Sequence, residues 1–243
     1  MTNFDEQLEE LVTANRILAR EEVVDAFGHV SIRHPEHPGR YILSQSRAPD
    51  LVNVSDLMVY TLEGDPLDQQ GRTMYSERPI HGGIYEARDD VLAIVHNHSA
   101  TVVPFTVTDT PLRPMFHLGA LIGPELPVWD IRDNFQDTSM LVTTMEQGRD
   151  LARCLGDRRV ALMRGHGCVI AGKSIREVVM ASIYLQVNAG LLLESLRLGD
   201  VKYMTPGEIE LMSEGQMRPT AQERAWEYWA NRAGRGKDGD KNA

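Results

Sequence analysis

The chain contains 243 residues, of which 42% are hydrophobic and 25% are charged, and its formal net charge is −10. This composition is typical of a globular protein with a sizeable core. The acidic balance argues against nucleic acid or an anionic membrane surface as a partner, because both attract a basic face. Two cysteines exclude a disulfide framework, and neither a signal peptide nor a run of about 18 apolar residues is evident. We therefore predict one cytoplasmic domain over residues 1–233 and a disordered tail over residues 234–243.

The hydrophobic pattern predicts helices that alternate with short strands. A first helix is predicted over residues 5–26, and Gly28 then precedes a predicted strand that carries His29 and Ser31. Further strands are predicted over residues 41–44, 54–62, 91–98, 159–164 and 168–172. Further helices are predicted from Ser76 to about residue 88, over residues 144–155, from Ser174 to about Leu198, from Thr205 to about residue 214, and from Thr220 onward.

A loop with Arg47 near its centre follows the predicted strand at residues 41–44. Arg47 is either a solvated surface charge or a clamp for a carboxylate, because its planar guanidinium can bind a carboxylate through two parallel hydrogen bonds. The sequence pattern leaves both interpretations open.

The helix that follows has a recognisable start. Ser76 is the predicted N-cap and Pro79 lies inside the first turn. Glu77 therefore lies at the positive end of the helix dipole. It is either a carboxylate that stabilises the helix start or, if His96 is near, an acid/base group.

The segment Ala93-Ile-Val-His96-Asn-His98 places two histidines at positions i and i+2 of a predicted strand. Alternate residues of a strand point to the same face, so both imidazoles could bind one divalent metal ion. The alternative is a pair of histidines that only complete the core or the surface.

A third histidine, His166, ends an apolar run in a similar setting. It lies between Gly165 and Gly167, which allow the backbone to approach a neighbouring group closely. Three histidines with an open coordination position are the usual arrangement of a catalytic metal site.

Two other positions are weaker candidates. His117 lies in a mostly apolar stretch, where a lone histidine is either a core residue or a site residue. Tyr184 shares one face of a long predicted helix with Asn188 at i+4. Neither pattern decides between a structural and a functional role.

The order and spacing of Glu77, His96-Asn-His98 and Arg164-Gly-His166-Gly resemble the class II aldolase/adducin family. The resemblance covers residues 5–215 and implies an α/β fold, with three α/β/α layers and a central, mostly antiparallel sheet. It also implies a homotetramer with active sites near subunit contacts. It assigns His96, His98 and His166 to one divalent metal ion per chain, and Glu77 to proton transfer. Imidazole and oxygen ligands suit Mn²⁺, Zn²⁺, Co²⁺ or Fe²⁺.

The chain departs from the sugar-phosphate aldolases of that family where they hold the phosphate. A Gly-Asn-x-Ser loop, a Thr/Ser-Gly turn and a Ser-Ser pair are replaced here by Gly28-His29-Val30-Ser31, Ser46-Arg47 and Tyr75-Ser76. A phosphate cradle needs backbone N–H groups and small hydroxyls, whereas an imidazole, a guanidinium and a phenol suit a planar carboxylate. These replacements, with Arg47-Ala-Pro and Phe116-His117, resemble the decarboxylase branch, which acts on hydroxylated pyridine dicarboxylates and phthalates.

The resemblance therefore implies a metal-dependent decarboxylase of aromatic catabolism that passes through a metal-stabilised enolate or carbanion. Glu77 or His117 is the expected proton donor, and the expected substrate-binding residues are His29, Ser31, Arg47, Ser76 and Tyr184. One alternative is a metal-dependent aldolase for a non-phosphorylated hydroxy-keto acid. Another is a non-catalytic, adducin-like binding protein, which would have an eroded histidine triad.

Overall fold

A seven-stranded sheet forms the centre of the computed structural model, which describes residues 3–216 and 218–235. The strands are β1 (His29–Arg33), β2 (Arg40–Ser44), β3 (Leu57–Thr61), β4 (Ala93–Asn97), β5 (Val128–Trp129), β6 (Val160–Met163) and β7 (Gly167–Gly172). Their order across the sheet is β3-β2-β1-β4-β7-β6-β5. Neighbouring strands are antiparallel except β5 and β6, which are parallel. The predicted mostly antiparallel sheet is confirmed.

Helices cover both faces of the sheet. In chain order they are α1 (Asn3–Arg20), α2 (Arg78–Ala87), α3 (Arg132–Phe135), α4 (Met145–Leu155), α5 (Ile175–Leu198), α6 (Pro206–Gln216) and α7 (Pro219–Arg235). Because strand residues alternate between faces, Val30 and Val95 pack with α1 and α5, whereas Ile94 and Ala161 pack with α2 and α4. The three-layer α/β/α architecture is confirmed.

The first helix is shorter than its apolar pattern predicted. It ends at Arg20 rather than at residue 26, because Glu22 adopts a positive φ of 58° that is incompatible with a right-handed helix. Val23 and Val24, which suggested a longer helix, are still buried, but they pack from the turn that follows it.

The predicted N-cap of α2 was wrong. Glu77 occupies the N-cap position, and its side chain makes no capping hydrogen bond. Ser76 lies one residue outside the helix and is exposed. The carboxylate of Glu77 is turned instead toward the interior of the protein, where it meets the histidines described below.

The long helix α5 passes the length and composition test for a membrane span, a segment that the sequence pattern had not suggested. Its residues as far as Leu192 pack on the sheet and on α1, and about half of the residues of the helix are buried. It is the core helix of this domain.

At the C-terminal end of the described residues, α7 runs to Arg235. The first two residues of the predicted disordered tail are therefore helical, and residues 236–243 lie outside the described residues.

Helices α2 and α4 pack so closely that glycine is required between them. A β-carbon at Gly148 would collide with the carbonyl oxygen of Pro79, and one at Gly83 would collide with the backbone of Gly148. This contact fixes the first turn of α2, and therefore the position of Glu77, relative to α4.

Replacing Gly148 with alanine is expected to lower the free energy of unfolding by about 1–3 kcal/mol, because the backbones must separate to admit the methyl group. Equilibrium urea unfolding measures the change. Gly190→Ala in α5 is the matched control, because its β-carbon would meet only Thr101 Cγ2, at an ordinary contact distance of 3.7 Å. Equal unfolding midpoints for the two variants would contradict the packing argument.

Candidate metal centre

His96 and His98 meet at the end of the central strand β4. The buried run Ala93–Val95 anchors the strand in the core, and His96 is fully buried at its end. His98 follows directly after the last strand residue, Asn97. The two Nε2 atoms lie 3.0 Å apart. The expectation that both imidazole rings point to the same face of the strand is therefore confirmed.

His166 reaches the same point from the turn between β6 and β7. Strand β7 pairs with β4, so that Cys168 lies opposite Asn97. A β-carbon at Gly167 would collide with the carbonyl oxygen of Asn97, so glycine allows this close approach. The Nε2 atom of His166 lies 3.1 Å from that of His98.

Glu77 completes the cluster from the N-terminus of α2. Its two carboxylate oxygens each lie 3.6 Å from a histidine nitrogen, Oε2 from His96 Nε2 and Oε1 from His166 Nε2. The backbone N–H of Val142 donates a hydrogen bond to Oε1 at 3.0 Å. Burial opposes ionisation, but the contacts with His166 and His96 outweigh it and hold the pKa of Glu77 below its usual range. The carboxyl group is therefore ionised at neutral pH.

The donor set fits a divalent metal ion. One ligand atom from each of Glu77, His96, His98 and His166 lies within 4.8 Å of the other three. Nitrogens about 2.0–2.1 Å from a tetrahedral ion lie roughly 3.3 Å apart, close to the separations of the Nε2 atoms. Burial and the imidazoles of His96 and His166 lower the pKa of His98 to about 4, so its ring is in the neutral form that binds metals. The carbonyl oxygen of Cys168 lies 3.1 Å from Nδ1 of His96 and fixes that ring from behind.

A cavity of about 330 Å³ opens beside this cluster. It brings together four of the residues predicted to contact substrate or transfer protons: His29, Arg47, Ser76 and Glu77. The rest of its wall is mostly apolar or aromatic and includes Phe27, Tyr75 and Leu141. A planar, partly apolar molecule with an anionic group matches this lining.

Arg47 is held at the rim of the cavity by two residues, Asp56 and Tyr75. Its Nη1 lies 3.2 Å from Asp56, and about 41% of its side chain remains exposed. The hydroxyl of Tyr75 donates to the carbonyl oxygen of Arg47. Tyr75 thus fixes the loop, and most of the guanidinium edge is free to meet an anion.

His29 lies next to the cluster because β1 and β4 pair with His29 opposite His96. Its ring centroid lies 5.0 Å from that of His96 and 4.7 Å from that of Tyr75. Behind it lies His81 of α2, a fully buried residue that sequence reasoning missed; Nδ1 of His29 is 2.6 Å from Nε2 of His81. Burial holds the pKa of His29 well below its usual value and lowers that of His81 to about 3. Both rings are therefore neutral.

Three of the residues predicted to contact substrate or transfer protons do not line this cavity. Ser31 is fully buried behind His29, where its hydroxyl contacts His81 and Tyr85. His117 and Tyr184 line a separate surface cleft with residues of α7 such as Trp229. Within one chain the structure does not bring His117 or Tyr184 to the metal cluster, and their roles stay predictions.

The family model of the class II aldolase and adducin N-terminal domain matches residues 9–193. Among curated proteins, the chain is 32% identical to the decarboxylase tropJ of Talaromyces stipitatus over 240 residues, which cover 90% of each chain. It is 27% identical to a 3,4-dihydroxyphthalate decarboxylase of Arthrobacter keyseri over 201 residues, which cover 79% of each chain.

Solved structures show the same fold at lower identity. L-fuculose 1-phosphate aldolase from Glaciozyma antarctica superposes with a TM-score of 0.79 at 21% identity, covering 97% of this chain and 92% of the other. An aldolase II superfamily protein from Pseudomonas syringae superposes with a TM-score of 0.81 at 18% identity, covering 97% and 95%. At this level of identity the structural likeness shows a shared fold, and function must be argued from the site.

Proposed function

Because the chain belongs to the class II aldolase and adducin family, we propose that it is a divalent-metal-dependent decarboxylase of a hydroxylated aromatic or heteroaromatic acid with one or two carboxylates. The chain is an enzyme, with named decarboxylases and aldolases among its relatives. The observation that carries the proposal is the cavity itself. An intact cluster of three histidines and a glutamate lies beside an imidazole, a guanidinium and a phenol, in a wall otherwise rich in apolar groups.

The relatives support this substrate class. The proteins from Arthrobacter keyseri and Terrabacter are both named 3,4-dihydroxyphthalate decarboxylases. Their substrate has a ring, two carboxylates and hydroxyl groups next to each other. Such a molecule matches a cavity that offers one arginine, hydrogen-bonding side chains and apolar walls.

The residues divide into three tasks. His96, His98 and His166 would hold the ion, with Glu77 close enough to be a fourth ligand or an acid/base. When bound, the ion supplies Lewis-acid stabilisation of the negative charge that develops on the substrate. Arg47 would bind a substrate carboxylate, because charge-assisted hydrogen bonds are the strong ones. His29 would add a hydrogen bond from the wall of the cavity.

Glu77 is best placed to move the proton. Loss of carbon dioxide breaks the bond between a ring carbon and its carboxylate, the electron pair stays on the ring, and that carbon must gain a proton. Glu77 is ionised before the substrate binds, so it can accept the proton of the neighbouring phenol and return it to the ring carbon. Within one chain His117 lies in another cleft, so Glu77 is the better-placed proton donor of the two.

Carbon dioxide release from a panel of ortho-hydroxy aryl and pyridine dicarboxylates tests the proposal. Each acid is assayed with the protein as purified, with a chelator, and with divalent metal added back. Release that the chelator abolishes and metal restores is the expected result. Silence across the panel, from protein that holds one metal ion per chain, would overturn it and favour cleavage of a non-phosphorylated hydroxy-keto acid.

Arg47→Ala is expected to raise KM about 10–100-fold with a smaller effect on kcat, because a hydrogen-bonded charge contributes about 1.5–3 kcal/mol to binding. Steady-state kinetics on the best acid of the panel measure the change. Arg197→Ala is the matched control, since Arg197 is 73% exposed at the end of α5 and pairs only with Glu194 among the contacts described. An unchanged KM in Arg47→Ala would contradict the carboxylate clamp.

From the family we further propose that the protein forms a homotetramer and that it is located in the cytoplasm. Size-exclusion chromatography with light scattering tests the subunit number. A monomer that turns over substrate at the full rate would contradict the tetramer.

A further inference from the structure

A chain of four buried polar side chains runs from the metal cavity into the core. Nδ1 of His29 lies 2.6 Å from Nε2 of His81, and Nδ1 of His81 lies 2.6 Å from the hydroxyl of Ser31. The Ser31 hydroxyl lies 2.9 Å from that of Tyr85. His29 and Ser31 share one face of β1, and His81 and Tyr85 are one turn apart on α2. At most 3% of any of the four residues is exposed.

The hydrogen atoms of this chain can be arranged in two directions. In the first, Tyr85 donates to Ser31, Ser31 donates to Nδ1 of His81, and Nε2–H of His81 donates to Nδ1 of His29. In the second, every bond is reversed, and Ser31 donates to the oxygen of Tyr85. The phenolic hydrogen of Tyr85 then has no acceptor among the described residues. In a mixed arrangement, Ser31 accepts from both Tyr85 and Nδ1–H of His81, and its own hydroxyl hydrogen has no acceptor among them. The first direction alone leaves no buried donor unpaired, and an unpaired buried donor is costly.

The first direction determines which nitrogen of His29 carries the hydrogen. Nδ1 accepts from His81, so the neutral ring carries its hydrogen on Nε2. His29 lines the cavity. Its described hydrogen bond uses Nδ1, and its Nε2 is not among the buried, unpaired polar atoms of the described residues, so this nitrogen is accessible. Nε2–H is therefore available to a molecule in the cavity.

We propose that His81, itself held by Ser31 and Tyr85, is a positioning residue that locks His29 in the Nε2–H tautomer, so that a neutral imidazole donates one hydrogen bond in a fixed direction to an oxygen of the bound acid. The catalytic meaning of this lock rests on the proposed function, whereas the lock itself does not. It also explains why Ser31, predicted to bind substrate, lies behind His29 rather than in the cavity.

These four side chains fix the tautomer of His29 and do not conduct protons to the cavity. If His29 gave up its Nε2 hydrogen and the chain replaced it, the proton would come finally from Tyr85 and leave a buried tyrosinate. Burial raises the pKa of Tyr85 and disfavours that anion. We therefore assign delivery of the proton to the ring carbon to Glu77. The role of His29 is to donate a hydrogen bond to the bound acid in a fixed direction.

Two-bond ¹H–¹⁵N correlation spectra of zinc-loaded protein with ¹⁵N-labelled histidine read the tautomers directly. The signals are assigned by their loss in His29→Asn and His81→Asn. The expected result is that both rings are neutral with hydrogen on Nε2. A His29 with hydrogen on Nδ1, or on both nitrogens, would overturn the proposal.

Ser31→Ala removes the donor to Nδ1 of His81, so both rings are expected to show averaged shifts of mixed tautomers and kcat/KM is expected to fall about 10-fold, as for other supporting hydrogen bonds. Ser31→Thr, which keeps the hydroxyl, is expected to retain the Nε2–H pattern. Tyr41→Phe is the control, because it deletes another buried hydroxyl, bonded to the carbonyl oxygen of Arg78, beside the same cluster. Unchanged tautomers in Ser31→Ala would overturn the lock, and a catalytic loss without a tautomer change would indicate direct substrate binding by Ser31 instead.

The tautomer result and the turnover result are separable. Protein that shows the Nε2–H pattern but releases no carbon dioxide from any acid would refute the proposed function and leave the lock standing. Protein that releases carbon dioxide while His29 carries hydrogen on Nδ1 would refute the tautomer lock and support the proposed function.

Discussion

Replacing His96 with alanine is expected to empty the metal site and to lower the rate of carbon dioxide release by at least about 10³-fold. His96 is fully buried, its Nε2 lies 3.0 Å from that of His98, and the carbonyl oxygen of Cys168 holds its other nitrogen. Loss of this ligand removes both a coordination bond and the orientation that the second contact provides. Stabilisation of developing charge by a metal ion contributes several kcal/mol, and each 1.36 kcal/mol is a factor of about ten in rate.

Metal content after dialysis, measured by plasma mass spectrometry, tests this prediction together with the rate. His37→Ala is the matched control, because His37 is an exposed loop histidine. The control is expected to retain one ion per chain and the full rate. Retention of one ion per chain by His96→Ala would contradict the assignment of His96 as a ligand.

Glu77→Gln is expected to lower kcat by about 10²–10⁴-fold, the usual contribution of a positioned acid/base group. The amide oxygen of glutamine can still accept the hydrogen bond that Val142 donates, so the local fold is expected to persist. What is lost is the negative charge beside His96 and His166 and the capacity to take up and return a proton. Because the three histidines remain, most of the metal is expected to remain as well.

Single-turnover kinetics on metal-saturated protein separate this chemical step from binding. Glu86→Gln is the matched control on the same helix, since Glu86 is exposed and pairs with Arg149. An unchanged kcat in Glu77→Gln would contradict its role in proton transfer and would favour His117, the other predicted donor.

The local features of the candidate centre were predictable because they depend on short-range periodicity. Residues two apart on a strand share a face, and this rule correctly placed His96 beside His98. The glycines around His166 indicated a close backbone approach, which Gly167 makes against Asn97. Local patterns of apolar residues predicted most of the helices and strands, whereas the three-layer arrangement was predicted from the family resemblance.

Contacts that depend on strand pairing and helix packing were not predictable in the same way. His29 lies beside His96 only because β1 pairs with β4 in one register. His81, alone between apolar residues and glycines, had no local pattern to distinguish it from an ordinary core histidine. Two of its hydrogen-bond partners, His29 and Ser31, lie on β1, which is distant in sequence. The separation of His117 and Tyr184 from the cluster likewise depends on how the 3₁₀ segment His117–Ile122 packs on α5.

The predicted start of α2 was wrong because tertiary contacts outweighed the local sequence preference. Ser76 is a better N-cap residue than Glu77 by intrinsic preference. The chain nevertheless begins α2 at Arg78, because the carboxylate of Glu77 is held by Val142 and by the histidine cluster. Contacts with Val142 and the histidine cluster thus displaced the helix start by one residue from its preferred position.

The most direct test of the central claim compares two substrates on the same metal-loaded protein. The hydroxylated aromatic acid that reacts fastest and L-fuculose 1-phosphate are assayed side by side, for carbon dioxide and for aldehyde. We expect one carbon dioxide per acid consumed and no detectable cleavage of the sugar phosphate. The reason is that Arg47, Tyr75 and His29 line the cavity where a phosphate cradle would need backbone N–H groups and small hydroxyls. Cleavage of the sugar phosphate without carbon dioxide release from any acid would contradict the account.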